Sequence, residues 1–283
     1  MIKYRDMSSR EKLKLFVITL LWFAIFAPIY PEMVREWLSH SDNSHGFIVP
    51  LVAGYFAWER MKRLGSVNIS GSWLGCATFL LALAMYVVSI AGGLAFPARI
   101  AMVLSLFGLV WCVLGNEAIR IMAFPILFLL FMIPLPYSLI NYVSGPLQLM
   151  ATIISANFIG FCSIPVFREG NMLYFVGTQL EVAEACSGIR SIMALSMLAC
   201  AFANLSRTGW KGKVILVISA IPIALAANIV RVTGTGILAH FFGDKVARGF
   251  LHEFSGLAIF LLGFLVLFGV FSMMNKKKNL NVK

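Results

Sequence analysis

Charge is what this chain has least of. Asp, Glu, Lys and Arg together make 12% of its 283 residues, while hydrophobic types make 60%; soluble domains carry roughly twice that charge. A water-soluble globule is excluded, and the fold class expected is an all-α polytopic membrane protein. Polar stretches are short too. Each span needs about 20 apolar residues, so the apolar runs take up most of the length and leave no room for a soluble domain of useful size. The whole of 1–283 is read as a single integral membrane domain.

Metal chemistry has little to draw on. There are four His and five Cys, with no Cys-x-x-Cys or His-x-x-His spacing, so neither a metal nor a cofactor is expected. Acid is scarcer than base, 12 residues against 23, for a net charge of +11. The basic residues stand in short clusters between apolar runs rather than in a stripe interleaved with aromatics, which argues against a nucleic-acid partner. The tendency of cytoplasmic loops to hold Lys and Arg explains them better. Cys76, Cys112 and Cys200 lie inside apolar runs, where a thiol reads as a small core hydrophobe. Cys162 and Cys186 fall near one predicted surface; a disulfide between them is allowed but not demanded by their spacing.

Residues 1–14 hold five Lys and Arg and precede the apolar run 15–30. More spans follow and no small-residue cleavage site ends the run, so it reads as a retained first helix rather than a leader. Residues 31–46 read as a polar outer loop. Further spans are expected at 47–58, 73–91, 100–114 and 121–134, the last stopped by Pro134 and Pro136. The tract 137–164 is interrupted by Asn141, Gly145, Pro146 and Gln148, and a helix in the outer interface is expected there. Within 165–182, short β-type runs alternate with turn residues at Glu169-Gly170-Asn171 and Gly177-Thr178. That pattern predicts a small outer β-hairpin or loop cap, since open strands cannot sit in lipid. Spans at 189–205, 214–230 and 254–274 complete about eight transmembrane helices, with a second outer loop around His240 and a basic cytoplasmic tail at 275–283. This topology puts 16 of the 23 Lys and Arg inside, with both termini cytoplasmic.

Three chemically compatible groups then fall at one outer level. Cys186 precedes the sixth helix, Arg231 ends the seventh and His252 begins the eighth. A helix N-terminus and a nearby cation such as Arg190 favour a thiolate. Ser187-Gly188 forms the turn into that helix, and Glu184 is placed to orient His252 or an arginine. A histidine titrates near neutral pH and can move the proton, while Arg231 can hold a developing oxyanion. Bland readings stand beside these. Cys186 can be structural, Arg231 can snorkel, and His252-Glu253 can belong to an ordinary helix start. Asn228, one turn before Arg231, suits a hydrogen bond between helices. Ser44 and His45 either line the same cleft or begin a capped helix.

At these residues the sequence resembles the exosortase/archaeosortase family of membrane cysteine transpeptidases. The resemblance rests on Glu184-Ala-Cys186-Ser187-Gly188-Ile-Arg190, on Asn228-x-x-Arg231, on His252 with Gly256, on Ser44-His45-Gly46-Phe47-Ile48-Val49-Pro50 and on Arg168-Glu169-Gly170. It implies catalytic roles for Cys186, Arg231 and His252, and a histidine at 252 favours the bacterial branch over the archaeal one. It further implies a bacterial inner-membrane enzyme with its active site on the periplasmic face. The expected partners are membrane lipid, exported proteins ending in a Pro-Glu-Pro type motif, a transmembrane helix and a basic tail, and an acceptor nucleophile of unknown identity. Cleavage would pass through a thioester, followed by transfer or release. A different class remains as the alternative: a transporter or exopolysaccharide-export component that binds an anionic substrate at its outer-face arginines.

Overall fold

The computed structural model describes residues 2–3, 7–182, 188–243 and 250–280, apart from the side chains of 2, 3, 41, 250–255 and 277–280. The helices are α1 (Ser9–Ile25), α2 (Ile29–Ser39), α3 (Ile48–Leu64), α4 (Trp73–Ala91), α5 (Ala95–Leu114), α6 (Asn116–Phe128), α7 (Tyr137–Phe161), α8 (Ile189–Leu205), α9 (Trp210–Phe242) and α10 (Phe250–Leu280). Strands β1 (Ile2–Lys3) and β2 (Asn68–Ile69) form a minimal antiparallel pair. β3 (Val166–Glu169), β4 (Met172–Phe175) and β5 (Thr178–Glu181) form a three-stranded antiparallel sheet in that order. The chain divides into two compact units, Met1–Pro136 and Tyr137–Lys283.

Five of the described helices are long and apolar enough to cross a membrane, or six if the bent pair α1 and α2 is one span. The chain is thus a mostly helical, polytopic protein as expected, although the count differs from eight. Helices α3 and α8 have 17 residues, at the lower limit of a span, and α6 has 13. The tract expected in the interface is one 25-residue helix, α7, which passes the same length and composition test.

In the first unit, residues 31–46 are not a loop. Ile29, Met33 and Trp37, four residues apart, form the buried stripe of α2, and a 3-10 segment at Ser41–Phe47 follows. Pro31 is tolerated because it lies in the first turn, where no intrahelical N–H bond is lost. The exposed side of α2 reaches α5 through Arg99, which is only 3% exposed and donates to both carboxylate oxygens of Glu36 at 2.8 and 2.6 Å. Glu32, more exposed, lies 3.4 Å from the same guanidinium.

Helices α4 and α5 make a backbone-to-backbone hairpin. A Cβ on Gly75 would strike the Cys112 backbone, and one on Gly108 would lie 2.5 Å from Phe79 N. Small residues permit this closeness, and helices in lipid associate largely through it. The same approach joins Cys76 and Cys112, with Cα atoms 4.6 Å apart, in a disulfide. These two cysteines are therefore not the independent core thiols expected from their apolar surroundings.

The second unit is built around α9. One side packs Leu216, Ala220 and Ala224 against Leu195, Ala199 and Ala203 of α8 and Leu267 of α10. Another packs Val232, with Ile229 and Ile237, against Ile159, Leu173, Phe175, Leu180 and Val182, thereby seating the sheet. At the basic end, Asn275 Oδ1 of α10 accepts from Arg207 N at 3.1 Å and Ser206 Oγ at 3.2 Å in the turn between α8 and α9. The expected β cap is present, extended by one strand.

Helix α9 also corrects the sequence reading. It runs for 33 residues through Gly234 and Gly236, so Arg231 does not end a helix and His240 lies on one, not in a loop. A helical glycine costs only about 1 kcal/mol. At Gly236 the missing Cβ makes room for Ile159 Cδ1, 2.7 Å from where that Cβ would stand, and for Phe175 Cζ at 3.4 Å. Packing there stabilises the helix that composition alone would end.

Glu36→Ala should leave the Arg99 charge buried with a poorer partner and cost about 3 kcal/mol. Glu32→Ala should change stability by less than about 1 kcal/mol. Thermal unfolding of the two variants in detergent, beside the parent, checks the difference.

Candidate functional site

The segment that motivates the site runs from 183 to 187, and Glu184, Cys186 and Ser187 lie outside the described residues. Its two flanks are described. On one side, Val182 is 2% exposed and belongs to the apolar cluster that contains Val232 of α9. The backbone N–H of Val182 donates to Asn171 O at 2.9 Å, and the Asn171 side-chain amide donates back to Val182 O at 3.3 Å. On the other side, Gly188 is the N-cap of α8 at φ +80°, a left-handed conformation that glycine adopts without steric cost. A Cβ there would lie 3.1 Å from Cβ and Cγ of Asn228. Asn228 is 3% exposed. Both flanks of the segment therefore rest on one turn of α9, residues 228–232.

Arg231 belongs to that same turn. Its guanidinium carbon and Nη2 stand 3.9 Å from the point where Gly256 of α10 would carry a Cβ, so the side chain crosses from α9 to α10. The absence of a side chain at 256 keeps this approach open. His252 is one helical turn before Gly256 in α10. Its side chain lies outside the described set. Arg190 is exposed on the first turn of α8.

Residue counts agree with these contacts. From Trp210 to Arg231 is 21 steps along α9, about 32 Å. From Asn275 back to Gly256 is 19 steps along α10, about 29 Å. Gly188, Arg231 and Gly256 thus stand at a similar height above the basic end that Asn275 ties together. Arg231 sits within a helix rather than at its end, and the level expected for Cys186 lies outside the described residues.

Ser44 and His45 belong to the first unit, in the 3-10 segment. Ser44 is exposed there. The His45 ring bonds to the backbone of Asp42 and Phe131, and burial holds its pKa below the usual 6.5. The next residue, Gly46, packs directly against the Trp37 indole, whose Nε1 donates to Met132 O at 2.9 Å. His45 and Trp37 therefore fasten the 3-10 segment to the turn that ends α6.

Among the described residues no group of three or more His, Cys, Asp or Glu is arranged to hold a metal. Cys162 is free and exposed. Sequence reasoning missed Val182, Asn171 and Val232, the residues that seat the segment. An alternating buried strand ending in Val182 was the available signal, but its counterpart on α9, 50 residues later, has no local signature. A family model described as transmembrane exosortase (Exosortase_EpsH) matches residues 37–269. No curated protein and no solved structure matches the chain.

Because burial depresses the His45 pKa, the unfolded chain takes up a proton near pH 6.5 and the folded chain only at lower pH. The stability from neutral His45 is therefore full above about pH 6.5 and falls as the pH drops below it. Melting temperatures in detergent between pH 7.5 and 5 should decline toward acid. His45→Gln should flatten part of that decline.

Proposed function

The chain belongs to the transmembrane exosortase family, and from that premise we propose that it is a membrane cysteine protease and transpeptidase acting on exported proteins. The substrates are proteins that end in a Pro-Glu-Pro type motif, a transmembrane helix and a basic tail. The enzyme resides in the bacterial inner membrane with both termini cytoplasmic and its active site on the outer face. The bias of Lys and Arg toward one set of loops supports that orientation.

Cys186 is the nucleophile. Its thiolate adds to the carbonyl carbon of a peptide bond near the motif, and the charge that develops on the carbonyl oxygen is met by Arg231. Collapse breaks the C–N bond, the leaving amine takes up a proton, and a thioester remains. Water or an amine then adds to the thioester, and Cys186 leaves as thiolate. His252 serves the proton movements or orients the groups that make them. Helix N-termini lower thiol pKa values through their backbone N–H groups, and Cys186 lies two residues before the N-cap of α8. Glu184, Ser187, Gly188, Arg190 and Asn228 shape the surroundings and hold substrate.

One observation carries this reading. The described flanks of the Cys186 segment, Val182 and Gly188, are seated on the α9 turn that bears Arg231, and Arg231 reaches α10 one turn from His252. Chain connectivity limits the Cα of Cys186 to about 7.6 Å from that of Gly188.

Cys186→Ala and Cys186→Ser should leave a tagged reporter carrying the tripartite tail uncut in the membrane, and Arg231→Ala should slow cutting by at least about a hundredfold. Immunoblots of membrane fractions check both, and normal processing by the Cys186 variants overturns the assignment. Mass spectrometry of the reporter's new C-terminus separates hydrolysis, which leaves a free carboxylate, from transfer to an acceptor.

A further inference from the structure

Strand β5 is an edge strand that continues directly into the segment carrying Cys186. The register pairs Met172 with Glu181, Leu173 with Leu180, Tyr174 with Gln179 and Phe175 with Thr178, and Asn171 O accepts from Val182 N at 2.9 Å. In an antiparallel ladder, hydrogen-bonded and non-bonded pairs alternate. Residues 178, 180 and 182 therefore turn their backbone groups toward β4, while 179 and 181 turn theirs away from the sheet. Among the described residues, no hydrogen bond outside the β4–β5 ladder involves Thr178, Gln179, Leu180 or Glu181.

The opposite face of the strand explains why this edge stays in place. Leu180 is 5% exposed within the cluster against Val232 of α9, whereas Gln179 and Glu181 are exposed. The edge thus turns two N–H donors and two C=O acceptors away from β4. An exposed edge of this kind is a template for another extended chain.

We infer that β5 binds the extended segment of the polypeptide substrate as an added strand, through the backbone of Gln179 and Glu181. Peptide-bond cleavage requires the chain to be extended and lifted off its own secondary structure around the bond that is cut. Pairing along β5 supplies that conformation. It also aims the segment at the nucleophile, because Cys186 follows Glu181 by five residues, at most about 17 Å of extended chain. Main-chain pairing gives affinity with little demand on side chains, which suits an enzyme that handles many exported proteins. This inference rests on the protease reading of Cys186.

Proline separates the pairing from the integrity of the sheet. At 179 or 181 it deletes an outward N–H and leaves the ladder to β4 intact, as edge strands allow. On the far edge, β3 turns the N–H of Arg168 outward by the same alternation. Gln179→Pro and Glu181→Pro should each reduce processing of the tagged reporter at least tenfold, and Arg168→Pro should leave it near the parent rate. Processing at the parent rate in both β5 variants overturns the proposal.

Cross-linking decides the matter even where a proline variant fails to insert. In a Cys186→Ala chain, Glu181→Cys should capture reporters carrying single cysteines upstream of the cleavage site with a two-residue period. Capture without that period, or capture of a second copy of this chain in place of the reporter, overturns it. Cutting by the Cys186→Ala chain refutes the proposed function itself, whereas a chain that does not cut and shows no two-residue period refutes only the docking.

Discussion

Helices surrounded by lipid gain little by exchanging apolar lipid contacts for apolar protein contacts, so they must approach closely enough for dense packing to hold them. Everything positioned in the second unit depends on α9 meeting that condition on two sides. Ala220 and Ala224 let it close on Ala199 and Ala203 of α8, and Gly236 gives Ile159 of α7 and Phe175 of β4 the space a side chain would occupy. Between those contacts lies the turn 228–232. Its place is determined from above and below, and the groups seated on it inherit that rigidity.

The arrangement separates two tasks that a solvent-exposed loop would otherwise have to combine. Apolar packing of Val182 with Val232, and the fit of Gly188 on Asn228, position the chain on either side of the segment with Cys186. Arg231 spans the gap to α10 over a residue with no side chain. Ionisable residues at this level of a membrane protein are costly, which makes an inexpensive apolar seat beside them useful.

Much of this was visible in the residues themselves. Glu169-Gly170-Asn171 and Gly177-Thr178 announced the turns of the sheet to within a residue, and Ser187-Gly188 announced the start of α8, because turn residues act through local backbone preferences. What depended on distant partners was hidden. The α2 stripe Ile29, Met33 and Trp37 was masked by Pro31 and by the charges on its other side. Gly234 and Gly236 looked like a break because the side chains that stabilise the helix there come from α7 and β4. Cys76 and Cys112 are separated by 36 residues and meet only because Gly75 and Gly108 set the crossing of α4 and α5. Hydropathy led to the expectation that Cys186, Arg231 and His252 share one level, but the α9 turn that carries Arg231 and seats the described flanks, Val182 and Gly188, had no signal in the sequence.

The length of α9 has a further consequence. At 33 residues it measures about 50 Å, whereas the hydrocarbon layer is about 30 Å thick. An upright α9 that begins at one boundary therefore emerges from the other near residue 230, and its remaining turns form a mast that carries the sheet clear of the acyl chains. In that placement Arg231 would stand at the foot of that mast, at the waterline. Under the proposed function, a polypeptide anchored in the same bilayer by its own helix would meet this waterline at a bond fixed by counting residues outward from its anchor, so bilayer thickness itself would become a ruler for the position presented.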